Sequence, residues 1–368
     1  MIQVSQRTQN PDRNSRRWAR ISVIALLACG LFSSPAMAQA PVIRVGEVVP
    51  RDVREIYERG LQFLVVNQNE AGDWKSGGEQ GPGVTGLCLM VLLASGEDPN
   101  FGLYSNNVRR ALRQIIEGQD GETGFYGGKN GGHSSMYNHG FAMLALAEAY
   151  GAVDDRNLWT GNEPNRRTVG QSLELAVRAA ITSQKKNSFG GWRYSPDGND
   201  ADTSVSGAVL MGLLAARNAG IEVPDEAIDK SINYFTKMTS PSGQVGYSGG
   251  FGGFDESFAR ISIATLVYSV ARRKDLTQFK ATLGYLVQRL ENVAQQSWPE
   301  YTRYYQAQAL FQGDVVAWEK WNKLLVSHLK TIQLADGSIP GQMGTTLGTS
   351  MSCLALALNY RFLPIYER

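Results

Sequence analysis

Six segments of this chain share one grammar: an amphipathic helix, a Gln, a Gly- and aromatic-rich loop, then a helix that is apolar nearly all round. The first runs from Val53 through Gln68 and Gly72-Asp73-Trp74 into Val84–Leu93. In the second, Val108, Ala111, Leu112, Ile115 and Ile116 recur at helical spacing, and Gln119 leads through Gly124-Phe125-Tyr126-Gly127-Gly128 to Phe141–Leu146. The third passes from Leu173–Ile181 through Gln184 and Phe189-Gly190-Gly191-Trp192-Arg193-Tyr194 to Val205–Ala216. A fourth spans Ile228 to Val270, a degenerate fifth Leu283 to Phe311, and a sixth Trp321 to Leu358 with Gln333 and Asp336-Gly337-Ser338 between its helices. The units average about 53 residues, longer than the common helical solenoid repeats.

Helices with one apolar face lie outside and helices apolar all round lie buried, so the pattern predicts six helix pairs in two concentric layers with no substantial sheet. A ring removes the uncovered ends of an open stack. Because the chain alternates outer and inner helices, the inner ones run in one direction. Their N-termini and most Gly-rich loops then gather on one rim, which is where functional residues are expected.

The remaining composition bounds the class. There are 36 basic and 34 acidic residues, a net +2, but Arg7, Arg13, Arg16, Arg17 and Arg20 against Asp12 concentrate +4 in the first 38 residues. A near-neutral body without a basic tract offers no electrostatic footprint for nucleic acid. The basic start, the apolar run Ile21–Phe32 and Ala36-Met37-Ala38 read as a signal peptide, residues 1–38, cleaved before Gln39. Residues 39–51 are then a linker and 52–368 the repeat domain. Export to the periplasm or outside the cell follows, with no transmembrane segment after cleavage. Two variants fit less well: a twin-arginine signal at Arg16-Arg17 and a lipoprotein box ending at Cys29. Cys88 and Cys353 fall in apolar helical runs, where buried free thiols are usual and a disulfide is not implied.

Gln68-x-x-x-Gly72-x-Trp74, and Gln184 before Gly190-Gly191-Trp192, resemble the Gln/Trp repeats of squalene cyclases. Gly124-Phe125, Gly127-Gly128, His133, Tyr137 and the Ala/Leu helix are similar to repeats of protein prenyltransferase β-subunits. The likeness covers nearly all of the mature chain and implies an all-α fold, the α/α toroid, with a central cavity for isoprenoid chains. It does not imply a reaction, since one scaffold hosts many chemistries. The cyclases' Asp-x-Asp-Asp-Thr-Ala acid motif meets Asn199-Asp200-Ala201-Asp202-Thr203-Ser204, with Ala201 where the proton donor belongs. Asp200 and Asp202 are therefore the catalytic candidates, as a displaced acid pair, against a helix N-cap with a solvated loop acid. The prenyltransferase zinc pair meets Asp255-Glu256-Ser257, with Ser257 in place of Cys, and Gly348-Thr349-Ser350 replaces the later His. No metal and no cofactor are expected. A calcium-loop likeness at Asp197-x-Asn199 lacks its next oxygen ligand, and the thioester-like Ser76-Gly77-Gly78-Glu79-Gln80 lacks the reactive Cys.

The remaining candidates are substrate-binding residues. His133 and His139 occupy the second loop and the start of its inner helix, against a reading as local hydrogen-bonding groups. Arg260 and Arg303 interrupt apolar inner helices near the rim, where they suit an anion or pair with Asp255, Glu256 or Glu300. Trp192, Tyr194, Tyr247, Tyr301 and Tyr304 either line a pocket or pin the loops; Asp255 completes the set, against an N-cap reading. The combined expectation is an exported toroid binding an apolar, isoprenoid or lipid-like ligand in its central cavity. As an enzyme it would be a terpenoid lyase or isomerase. The alternatives are a non-catalytic binding or assembly module of the cell envelope and a polysaccharide-active toroid whose aromatic rim stacks sugars.

Overall fold

The computed structural model describes residues 49–127, 135–156, 158–159, 161, 166–248, 254, 256–292 and 297–366, all within the unit that begins at Val49. The proposed leader, His133 and Asp255 lie outside the described residues. Among the described residues twelve α-helices follow in order: α1 Arg51–Val66, α2 Pro82–Leu93, α3 Ser105–Glu117, α4 Ser135–Ala149, α5 Val169–Gln184, α6 Thr203–Asn218, α7 Asp225–Met238, α8 Phe258–Val270, α9 Thr277–Val287, α10 Pro299–Gly313, α11 Val315–Ile332 and α12 Thr345–Ala357. The named strands among the described residues are the short antiparallel pair β1 Lys75–Ser76 and β2 Glu79–Gln80.

The expected two layers are present. On α3 burial follows one stripe, Val108, Ala111, Leu112, Ile115 and Ile116, whereas on α6 every residue from Val205 to Ala216 is buried. The even-numbered helices pack in cyclic order, α2–α4–α6–α8–α10–α12 and back to α2. Each odd-numbered helix lies principally on the inner helix that precedes it in the chain, and α1 lies on α12, which closes the ring. Small residues set the spacing of the inner ring: a Cβ on Gly140 of α4 would come within 2.7 Å of the Ala208 backbone of α6.

The grammar shared by the repeats is mechanical. At the end of each of four outer helices a Gln side chain spans two elements. Gln68 donates to the carbonyls of Gly72 and Asn107, Gln119 to those of Gly124 and Ser172, Gln184 to those of Gly190 and Ala227, and Gln333 to those of Gly337 and Ile56. Each clamp ties a loop to the first turns of the next outer helix, and the last joins the sixth unit to the first. The loop glycine then abuts that same helix. Gly337 has φ +89°, and a Cβ there would lie 2.3 Å from the Arg59 carbonyl, so both the backbone conformation and the contact require glycine. These backbone-directed bonds, each worth about 1 kcal/mol net, add to the apolar packing of the inner helices that joins the units.

The inner N-termini share one rim and are stitched to their neighbours. Gly83 N–H of α2 donates to Asn138 of α4 at 2.9 Å, Met136 N–H of α4 to the Tyr194 carbonyl at 3.0 Å, and Thr203 N–H of α6 to the Tyr247 carbonyl at 2.9 Å. On the far side Met343 N–H donates to Glu300 of α10 at 2.7 Å, and Leu347 N–H of α12 to Ser76 at 2.9 Å.

Candidate functional site

Helix α6 begins at this rim because Asp202 caps it. Its Oδ1 accepts from the backbone N–H groups of Ser204 and Val205, at 2.8 and 2.9 Å, satisfying donors that the helix leaves free. Its own N–H donates to the Trp192 carbonyl at 2.8 Å, drawing the third repeat's loop over the carboxylate. The side chain is fully enclosed. Burial raises the Asp202 pKa from the ordinary carboxyl value, opposed by hydrogen bonds from Val205, Tyr247 and Ser204 and by the charge of Arg193.

The other carboxylate oxygen faces a polar and aromatic cluster. Tyr194 donates to Asp202 Oδ2 at 3.4 Å, and its hydroxyl meets that of Tyr247 at 2.5 Å. Arg193 joins both acids, with Nη1 3.7 Å from Asp202 and Nε 3.6 Å from Asp200. Its guanidinium lies 5.0 and 5.4 Å from the ring centroids of Tyr194 and Tyr247, and that of Arg260 lies 5.8 Å from Tyr247. Asp200 keeps 44% of its side chain exposed and Tyr247 is 37% exposed. Five residues singled out by the sequence, Asp200, Asp202, Tyr194, Tyr247 and Arg260, thus meet at one place. Arg193 belongs with them. The Gly/aromatic pattern marks its neighbours Trp192 and Tyr194 and passes over the cation between them.

Below this cluster the ring's axis is crossed by aromatic side chains. Helices α4 and α10 occupy opposite positions in the inner ring, and spacing of ~8–10 Å between neighbours puts opposite helices about 16–20 Å apart. Tyr137 of α4 nevertheless meets Tyr301 of α10 edge-on at 6.3 Å, and Phe141 meets Tyr304 in the same way, one turn deeper. Tyr305 packs on both Tyr301 and Tyr304 at 4.8 Å, and the Tyr301 hydroxyl reaches the Ser204 carbonyl at 3.3 Å. At this level Tyr301 and Tyr304 face other aromatic rings across the axis rather than an open channel. Tyr137, part of the prenyltransferase-like motif, supplies one half of that contact.

Three further candidates stand apart from the cluster. The Trp192 ring is fully buried, and its indole N–H donates to the Ala180 carbonyl of α5 at 2.8 Å, which fastens the loop to the outer layer. Trp74 does the same with Leu64 in the first unit. His139 is buried as well. Its Nδ1 accepts from Tyr126 N–H at 3.1 Å while Nε2 faces the Ala176 carbonyl at 3.0 Å, which selects the neutral ring with the proton on Nε2; burial lowers its pKa to about 4. Arg303 is buried on α10 beside α12, donating to Pro299 O and Ser352 Oγ; burial depresses its pKa to about 10, with Glu300 opposing. Ser257, at the position of the prenyltransferase Cys, caps α8 through Arg260 N–H. Cys88 and Cys353 are buried free thiols whose pKa values are pushed up by burial.

No family model matches the chain, and no curated protein matches its sequence. Solved structures do resemble it in three dimensions. A type II terpene cyclase from Scytonema, in complex with geranylgeranyl dihydroxybenzoate, superposes with a TM-score of 0.53 at 14% identity over 85% of this chain and 98% of its own. The fold is an α/α toroid. An inactive variant of an α-1,6-mannanase of Salegentibacter, in complex with α-1,6-mannotriose, gives 0.57 at 12% identity, covering 83% and 99%. An α-amylase from Clostridium perfringens gives 0.57 at 12% identity, covering 84% and 99%. The toroid therefore stands among structures of both terpenoid and saccharide chemistry.

Proposed function

We propose that the protein is an exported toroid that binds a hydroxyl-rich, saccharide-type ligand on the rim where α6 begins. The observation that carries this reading is the junction of open aromatic surface with clustered polar groups: exposed Tyr247 and Asp200 adjoin Tyr194, Arg193 and buried Asp202. A sugar ring presents C–H faces that pack on tyrosine and hydroxyls that pair with carboxylate and guanidinium groups. Asp202, enclosed and occupied as a cap, holds the tyrosines and Arg193 in place. Asp200 is the carboxylate open to a ligand. The mannanase neighbour's complex with a mannotriose lends support to this ligand class.

An isoprenoid ligand needs an apolar cavity of several hundred Å³, and at the depth of Tyr137 and Tyr301 that volume would have to come from parting the aromatic layer. Saturation-transfer NMR with α-1,6-mannotriose, maltotriose and geranylgeraniol separates the two. Transfer to a saccharide that disappears in Tyr247→Ala supports the rim. Geranylgeraniol binding that survives Tyr247→Ala and is lost in Tyr301→Ala, with neither saccharide bound, overturns it in favour of the central apolar site.

A further inference from the structure

In the outer layer, a groove of about 540 Å³ runs between α9 and the loop of the fourth repeat. One wall is made by Lys280, Ala281, Gly284 and Tyr285 of α9 with Gln288 and Arg289 of the turn that follows it; Ser242 and Gln244 make the other. Gly243 holds the walls together, since a Cβ there would lie 2.3 Å from the Ala281 carbonyl.

Gly284 is the anomaly. Glycine inside a helix costs about 1 kcal/mol relative to alanine, and every other glycine described inside a helix is explained by a neighbour that a Cβ would strike within about 3 Å, for example Gly60 against Cys353 and Gly207 against Ile263. Around Gly284 nothing lies within 4 Å of the added Cβ. Folding therefore does not require this glycine. It leaves the backbone of α9 bare on the floor of the groove, which suits close approach by a ligand.

The two cations of the lining differ in their partners. Lys280 makes no ion pair among the described residues, and Arg289 lies with its guanidinium 3.8 Å from the Tyr285 ring centroid, steadied by Glu256 at 3.9 Å. The Glu256 carboxylate also accepts from the Tyr285 hydroxyl at 2.5 Å, so it occupies the Arg289 end of the groove and leaves Lys280 as the lining cation without a carboxylate partner among the described residues, while Ser242, Gln244 and Gln288 add neutral hydrogen-bonding groups. We infer that this groove is a second binding site, for a sugar carrying an oxyanion, with the sugar body over Gly284 and its carboxylate or sulfate on Lys280, one helical turn away. The inference does not rest on the rim reading.

The test is isothermal titration of the full chain with digalacturonate, galactose 6-sulfate and, as the neutral control, maltotriose. Binding of either charged sugar that weakens with added salt is the expected result; digalacturonate alone would identify the anion as a carboxylate and galactose 6-sulfate alone as a sulfate. Lys280→Glu should weaken it at least tenfold, the ratio equivalent to about 1.4 kcal/mol. Gly284→Leu should abolish it by filling the floor, while improving helix propensity so that loss of fold is not the explanation. Tyr247→Ala should leave it unchanged, which separates the groove from the rim. Absence of binding by both charged sugars, or binding that Gly284→Leu leaves intact, overturns the inference.

Discussion

Acid sensitivity should be written into this fold through His139. The ring is neutral because both nitrogens are committed: Nδ1 accepts from Tyr126 N–H and Nε2 donates to the Ala176 carbonyl. Protonating Nδ1 would set one N–H against another in a site without water access. With a folded pKa of about 4 against 6.5 in the unfolded chain, the unfolded state binds the extra proton over that interval. Stability therefore rises with pH through the window and is lost as pH falls from about 6.5 toward 4. Between about pH 7 and about pH 5 the expected loss is about 2 kcal/mol, approaching 3 kcal/mol near pH 4. His139→Leu removes the titration but strands the Tyr126 N–H, at a cost of about 2–4 kcal/mol at neutral pH. The assay is urea unfolding followed by far-ultraviolet circular dichroism, on both proteins across this range. Because all other groups titrate in both, the difference between the two stabilities isolates His139. It should shrink by about 2 kcal/mol on going to about pH 5. A difference that stays constant with pH would refute the neutral-ring argument.

Two other outcomes are expected. Gly337→Ala should cost more than about 2 kcal/mol, because it combines a left-handed backbone with a clash against the Arg59 carbonyl at the ring's closing seam; Gly284→Ala, with open space around it, should instead raise stability by about 1 kcal/mol. Thermal melts of the pair give opposite shifts if the reasoning holds. Edman sequencing of protein secreted by its native host should begin at Gln39, and a lipid-modified Cys29 would instead establish the lipoprotein route.

The layers were legible in the chain itself because periodicity reports how many faces of a helix are covered. The single apolar stripe from Val108 to Ile116 belongs outside, and the all-round apolar run from Val205 to Ala216 inside. The repeated Gln and Gly also mark their places, although their work, the clamp from Gln333 to Ile56 and the abutment of Gly337 on Arg59, joins residues nearly a chain length apart. What periodicity leaves open is what does the covering. Asp200 and Asp202 read in sequence either as an acid pair or as a helix cap beside a loop acid; in the fold one is half open and the other sealed by Tyr194, Tyr247 and its own helix, because only Asp202 sits at the N-cap. Trp192 and Tyr247 both read as loop aromatics; one is driven between the layers by its bond to Ala180 and the other stays at the surface. The contact of Tyr137 with Tyr301 across the axis depended on ring closure, which brings opposite helices within reach of two side chains. Local sequence specifies the elements and their buried faces, whereas the residues that meet at the rim are chosen by the geometry of six units closing into one ring.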